Sequence, residues 1–378
     1  NEGKITKWQF RDVYDIDSHL GKTTAVPLGL DRVTDTLYFR DSNYSPDFGV
    51  AARVLARSYE ESGHATVDGI LAINDRLIAD ILGELGPINI PSLPIALNRD
   101  NFSFLLSYYV ENKFDPKHPK NILNELIPAV TTRLKINPLV LVSPVLDNIL
   151  AQNIAFYSPR PDINRLNEII GLDLPLKTTD GDYLMVVNTS IGGNKSDQFI
   201  REEYTHDTQI SGSSVINDTL TIRKTHTYSD ATDREWDSFI TGLNMDQKGK
   251  IPEGESIKHL LGKGNNVSFV RVYVPAGAVL NEMVGGVPKS LKIYADEGKQ
   301  VFSFEMETPT GGTSQTTLRY SVPLSAPSYQ LYVQKQIGAR ATTIDKTVTL
   351  SPGVRILDEI APKSTALESD MQYAYLWN

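Results

Sequence analysis

The chain has 378 residues, 40% hydrophobic and 22% charged, with a formal net charge of −9 and no cysteine. Its length exceeds one hydrophobic core and predicts two domains, and an acidic balance without a Lys/Arg cluster argues against nucleic acid or anionic lipid as partners. The missing cysteine excludes disulfides, thiolate metal sites and Cys nucleophiles, and no apolar run reaches the roughly 18 residues of a membrane-spanning helix.

Asn1-Glu-Gly-Lys4 reads as a hairpin turn and Ile5–Tyr14 as the strand after it. That turn leads us to expect a strand upstream of Asn1, removed together with a membrane anchor. Thr36–Phe39 is a second β-rich run. Phe48–Glu61 places Val50, Ala51, Val54, Leu55 and Tyr59 at helical spacing, with Asp47 as its cap. Ile70–Ile73 reads as a buried strand. Asn74 then caps a helix carrying Leu77, Ile78, Ile81, Leu82 and Leu85, closed by Gly86-Pro87. Asn98–Phe114, Pro119–Ile136 and Leu139–Gln152 read as helices, Ile154–Tyr157 as a strand and Asp162–Ile170 as a short helix. The alternation predicts an α/β first domain over residues 1–175, a mixed sheet flanked by helices.

From Asp182 onward helical periodicity nearly vanishes. Tyr183–Asn188, Gln198–Ile210, Val215–Thr227, Ser268–Val274, Leu291–Tyr294, Gln300–Glu307, Thr316–Val322, Tyr329–Lys335 and Thr343–Leu350 are alternating, β-branched or aromatic runs. Turns such as Asp296-Glu-Gly298 and Pro309-Thr-Gly311 separate them. Only Asp230–Asp237 and Glu255–Leu261 look helical. The pattern predicts a β-sandwich over residues 176–378.

Arg40, Asp41, Asn43 and Asp47 follow the second β-rich run, and we expect Arg40 at the carboxyl end of that strand, within reach of a carboxylate. The group suits phosphate, through the guanidinium fork, or Mg²⁺, through the carboxylates. The same residues equally suit a helix cap, an Asx turn and a local ion pair. Asp12, Asp15 and Asp17 form a second acidic group and candidate metal ligands. On an extended strand Asp15 and Asp17 share a face and Asp12 lies opposite; alternatively they are a solvated strand end. Asp68-Gly69 precedes a buried strand, so Asp68 is either catalytic or orders a turn, and Gly69 marks a close backbone approach. Gly192-Gly-Asn-Lys195 supplies Lys195 as a candidate ligand-binding cation, but its flanks read as strand, which suits a hairpin or interdomain turn. The six His residues show no zinc-ligand spacing, and no Gly-x-Ser-x-Gly elbow exists.

In Asp12-Val-Tyr-Asp-Ile-Asp17, Arg40-Asp-Ser-Asn-Tyr-Ser-Pro-Asp47, Val67-Asp-Gly-Ile-Leu-Ala-Ile73, Leu85-Gly-Pro87, Gly192-Gly-Asn-Lys195 and Val270-Arg-Val-Tyr-Val-Pro-Ala-Gly277, the chain resembles bacterial proteins grouped as domain-of-unknown-function family 4012. The resemblance implies an exported, anchored surface protein and no particular reaction. Arg40-Asp41 and Ile70–Gly86 are also similar to segments of the LytR–CpsA–Psr cell-wall ligases. That resemblance implies an LytR–CpsA–Psr-like fold and glycopolymer transfer from a polyprenyl pyrophosphate, using Arg40, Asp41, Asp68 and Mg²⁺. The ligases' downstream Arg-rich motif has no match; Ser158-Pro-Arg-Pro161 is the nearest segment.

Two expectations follow. One is a noncatalytic envelope protein whose β-domain mediates adhesion or assembly, with a surface glycopolymer or itself as partner and no cofactor. The other is a phosphotransferase with Mg²⁺, which requires a deep apolar cleft beside Arg40 for an isoprenoid chain.

Overall fold

Helix starts follow the capping chemistry. The Asp47 carboxylate accepts from Val50 N at 2.9 Å and opens helix Phe48–Glu61. Asn74 does the same for Leu77 N at 3.3 Å and opens Asp75–Leu85. Each side chain satisfies an amide that the first turn leaves without a partner. In this computed structural model, residues 9, 11–21, 26–111, 122–211, 215–242, 254–323, 328–340, 342–352 and 355–377 are described. They form two compact units, Asn1–Leu174 with Ala231–Ile257, and Pro175–Asp230 with Lys258–Asn378. The division expected after residue 175 placed 231–257 in the second domain; these residues instead cluster with the first unit.

The first unit is mostly helical. Its helices include Val13–Asp17, Phe48–Glu61, Asp75–Leu85, Phe102–Glu111, Ile122–Ile136, Val142–Leu150, Pro161–Ile170 and the returning Asp230–Gly242. Phe104 packs on Trp236 and Phe239 of that returning helix, with ring centroids 4.8 and 5.5 Å apart. Among the described residues its sheet is one antiparallel pair, β1 (Ile70–Ile73) and β2 (Ile154–Tyr157), rather than the mixed sheet expected. Gly69 lies against the second strand, where a Cβ would come within 2.8 Å of the Phe156 ring.

Two expected strands differ in what is described. Half of Ile5–Tyr14 lies outside the described residues, and its end, from Val13, is helical. Asp12 caps Val13–Asp17 by accepting from Tyr14 N at 3.1 Å. Thr36–Phe39 makes no ladder; Phe39–Asp41 is a 3₁₀ turn. The Phe39 amide is taken by the Asp17 carboxylate at 2.7 Å, which replaces a strand partner.

The second unit is strand-rich. Its strands are β3 (Asp182–Ser190), β4 (Ile200–Ile210), β5 (Val215–His226), β6 (Asn266–Val274), β7 (Val279–Gly285), β8 (Val287–Asp296), β9 (Lys299–Thr308), β10 (Thr313–Pro323), β11 (Ser328–Gln334), β12 (Thr342–Leu350), β13 (Ile356–Ile360) and β14 (Met371–Trp377). They order as β12-β4-β5-β10-β7 and β13-β14-β11-β3-β6-β9-β8. The β12–β4 and β11–β3 pairs are parallel and the others antiparallel. Alternate residues of both sheets, among them Leu184, Tyr204, Leu220, Val272, Phe304 and Leu331, share one apolar cluster. The opposite face of β3 carries Tyr183, Met185 and Val187 into a second, smaller one. Gly285, at φ 89°, ends β7 where a Cβ would overlap the Gln315 carbonyl oxygen.

Candidate functional site

In the helical unit, Arg40 sits in the 3₁₀ turn and not at a strand end. Its Nη1 donates to Asp17 Oδ2 at 2.6 Å, while the other Asp17 oxygen accepts from Phe39 N. The guanidinium lies over the Tyr38 ring at 4.0 Å and the Tyr14 ring at 5.2 Å. The Arg40 side chain keeps 33% of its exposure, whereas Asp17 keeps 5%. Arg40 is therefore the counter-charge of a buried carboxylate.

Of the remaining candidates, Asp41 joins it and the others are engaged elsewhere. Asp41 is 4.0 Å from Arg40 Nε, and burial raises its pKa, with Arg40 offsetting part of that rise. Its Oδ2 is buried without a hydrogen-bond partner among the described residues. Asn43 is an exposed turn residue, and Asp47 is the helix cap. Asp68 is exposed, and its carbonyl accepts from Ser158 Oγ at 2.8 Å. Of the three proposed metal ligands, Asp12 is a cap, Asp15 pairs with Arg11 at 3.4 Å, and Asp17 holds Arg40. The face-sharing expected of a strand is lost because the segment is helical. Lys195, in the second unit, is half-buried before a 3₁₀ turn, with its amide donating to Leu260 O at 2.9 Å.

Beside Arg40 lies an open depression of about 720 Å³, lined by Val26, Asp31, Arg32, Val33, Thr34, Asp35, Tyr38 and Arg40. Its lining is largely polar and charged, unlike the apolar cleft that an isoprenoid chain requires.

The strand-rich unit gathers groups that chain spacing did not suggest. Strand register sets Thr208 opposite Asp218 and Asp218 opposite Tyr320, and Lys346 beside His206. Asp182 arrives from the other sheet on β3. Asp182, His206 and Asp218 each offer a donor atom within 4.8 Å of the others, and all three are buried. Tyr183 N and the Tyr329 hydroxyl donate to Asp182 at 2.8 and 2.6 Å. The Thr208 hydroxyl donates to Asp218 Oδ1, and Lys346 Nζ donates to that same hydroxyl oxygen. His206 Nε2 is 2.9 Å from the Tyr320 hydroxyl and 3.9 Å from Asp218 Oδ1. His206 Nδ1 and Asp218 Oδ2 have no hydrogen-bond partner among the described residues.

Burial dominates the electrostatics here. It pushes Asp182 up to about 6, against the opposing Tyr329 hydrogen bond and Lys346 charge. It raises Asp218 well above the usual carboxylate range, with Asp182 adding to the rise. It lowers His206 well below an ordinary imidazole, and pulls Lys346 down to about 8 despite both aspartates.

A second buried network lies along the same two strands, where Glu202 faces Lys224. Lys224 Nζ reaches Asn188 Oδ1 at 2.6 Å, Ser268 Oγ at 2.8 Å and Glu202 Oε1 at 3.2 Å. Both networks left a signal in the sequence. Period-two reading of β4 sends Ile200, Glu202, Tyr204, His206, Thr208 and Ile210 inward. The same reading of β5 sends Ile216, Asp218, Leu220, Ile222, Lys224 and His226 inward. Charged residues on a buried stripe require partners.

Residues 1–109 match the model of a family described as "Protein of unknown function (DUF4012)". Four of the six segments carrying the resemblance, from Asp12 to Pro87, fall in that range. No curated protein sequence matches the chain. Among solved structures, a protein provisionally described as nutrient-binding from Legionella pneumophila is 8% identical at a TM-score of 0.24, over 52% of this chain and 66% of that one. An M1 zinc metallopeptidase from Deinococcus radiodurans is 7% identical at 0.22, over 47% and 38%. The chain therefore spans less than two thirds of each of these proteins.

Proposed function

We propose that the chain is a noncatalytic protein of the bacterial envelope, with a helical unit and a β-sandwich that serve adhesion or assembly at the cell surface. The observation that carries this reading is the engagement of Arg40 by the buried carboxylate of Asp17. The residue best suited to grip a phosphate is held as a structural counter-ion, and its neighbours Asp12 and Asp47 serve as caps. A partner-binding role agrees with exposed apolar side chains at Ile136, Leu139, Val142, Leu146 and Leu150, the last three at helical spacing on Val142–Leu150. Exposed apolar patches mark interaction surfaces.

One observation favours the second reading, a phosphotransferase on a lipid-linked glycopolymer. Arg40 is still a third exposed, and it shares its depression with Arg32. A melting experiment on the whole chain with pyrophosphate and Mg²⁺ separates the two. The noncatalytic reading expects no ligand-induced shift in the wild type and a lower melting temperature for Arg40→Ala. The phosphotransferase reading expects a ligand-induced shift that Arg40→Ala abolishes.

A further inference from the structure

We propose that Asp182, His206 and Asp218 form a buried binding site for one divalent first-row transition-metal cation, set between the two sheets of the strand-rich unit. The inference is independent of the envelope reading, because it concerns residues that play no part in it.

Three observations carry it. The first is convergence. Three residues far apart in sequence, from three strands and both sheets, bring one imidazole nitrogen and two carboxylate oxygens within 4.8 Å of one another. Ligand atoms on a tetrahedral metal with bonds of about 2.0–2.2 Å lie roughly 3.3–3.6 Å apart. Side-chain rotation of about 1 Å closes that gap.

The second is burial. Two carboxylates and an imidazole meet where His206 has no exposure and Asp218 1%. Lys346 Nζ donates to the Thr208 hydroxyl and Lys299 Nζ lies over the Tyr183 ring, so neither neighbouring ammonium bonds the carboxylates directly. Polar groups gathered out of water are unfavourable unless bonded, and a divalent cation would bond all three.

The third is unmet bonding capacity. Asp218 Oδ2 and His206 Nδ1 are buried without a partner, on two of the three ligands. The supporting shell is already in place. The Tyr329 hydroxyl fixes Asp182, the Thr208 hydroxyl fixes Asp218, and the Tyr320 hydroxyl sits on His206 Nε2. Outer partners of this kind hold ligand orientation in metal sites.

The donor set selects the class of ion. One nitrogen and a few oxygens fall short of the six to eight oxygens that Ca²⁺ takes, and Mg²⁺ keeps several waters. Imidazole with carboxylate suits Zn²⁺, Co²⁺, Fe²⁺ or Mn²⁺. The His residues look unrelated along the chain because metal spacing there reports only ligands on one local element. This ligand set is assembled by strand register.

The test is a calorimetric titration of Zn²⁺ into the whole chain after chelator treatment and dialysis, with a parallel Co²⁺ titration read by visible absorption. One equivalent of Zn²⁺ should bind, and Co²⁺ should give d–d bands of a low-symmetry site. His206→Ala should weaken Zn²⁺ by at least about 100-fold and abolish the bands, and Tyr320→Phe should weaken it by about 10-fold. Lys346→Met removes the competing ammonium and should tighten binding. Glu84→Gln, an exposed carboxylate of the helical unit, should change nothing. Cooperative melting of each variant shows whether it is folded, and His206→Gln replaces His206→Ala if the latter is not. No stoichiometric binding by folded wild type and folded Lys346→Met overturns the proposal, and so does binding that survives loss of His206.

Discussion

The ion pair of Arg40 and Asp17 and the buried networks of the strand-rich unit use the same side-chain types under different solvation. Arg40 keeps a third of its exposure, so water shares the work of balancing Asp17. Lys224 keeps only 1% of its exposure, and its bonds come from Asn188, Ser268 and Glu202. The comparison shows that residue type alone does not mark a site. What matters is how much of a charge's solvation has been replaced, and by what.

Removing one partner in the drier network should give the largest effect. Lys224→Ala leaves the Glu202 carboxylate with the Tyr204 and Asn188 hydrogen bonds but no counter-charge, and should cost about 3–5 kcal/mol. Urea unfolding of the strand-rich unit measures it, and a loss below about 1 kcal/mol would erase the distinction drawn here. Arg40→Ala should cost less, about 2 kcal/mol, because Asp17 keeps its bond from Phe39 N and Arg40 was partly hydrated. Its loss should also shrink at high salt, as the Lys224 effect should not. Asp47→Ala removes only a helix cap and should cost about 1 kcal/mol. Asp47→Asn should recover most of that loss, which a role in metal or phosphate binding would not allow.

The smallest expected effect is a pH dependence, measured in chelator. The folded Asp182 carboxyl holds its proton up to about 6, against an ordinary value of 3.8, and Asp218 is raised the same way. Between about pH 4 and 6 the folded state therefore gains up to two protons that the unfolded chain has released. His206 opposes with one, being neutral when folded and protonated below 6.5 when unfolded. The balance favours the folded state binding more protons, so stability should fall as pH rises through that window. Melting temperatures across it should fall less steeply for Asp182→Asn. A rise with pH in the wild type, absent in His206→Gln, would show the imidazole outweighing both carboxyls.

Local chemistry made the middle of the helical unit readable. Asp47 and Asn74 announced their helices, and β-branched or apolar four-residue runs marked Ile70–Ile73 and Ile154–Tyr157. Thr36–Phe39 looked equally strand-like. It failed because a strand needs a ladder, and a distant carboxylate satisfied the Phe39 amide instead. Asp12 resembles a metal ligand in the sequence because a capping carboxylate and a liganding one share residue type, and only the bond from Tyr14 N tells them apart. The Asp182, His206 and Asp218 cluster was only half legible. Alternation along β4 and β5 sends His206 and Asp218 inward, but Lys346 meets them through the β12–β4 pair of strands distant in sequence, and Asp182 comes from the other sheet.

That pairing also governs the order of assembly. β4 lies against β12, so Glu202 is partnered by Thr342, and β3 lies against β11, so Asp182 is partnered by Leu331. A ribosome must therefore deliver nearly the whole chain before either sheet can close. Until then β3 and β4 each have an exposed edge. Long loops closed late make folding slow and leave edges open to wrong partners. A C-terminal truncation before Thr342 should thus yield an aggregating chain rather than a smaller folded one.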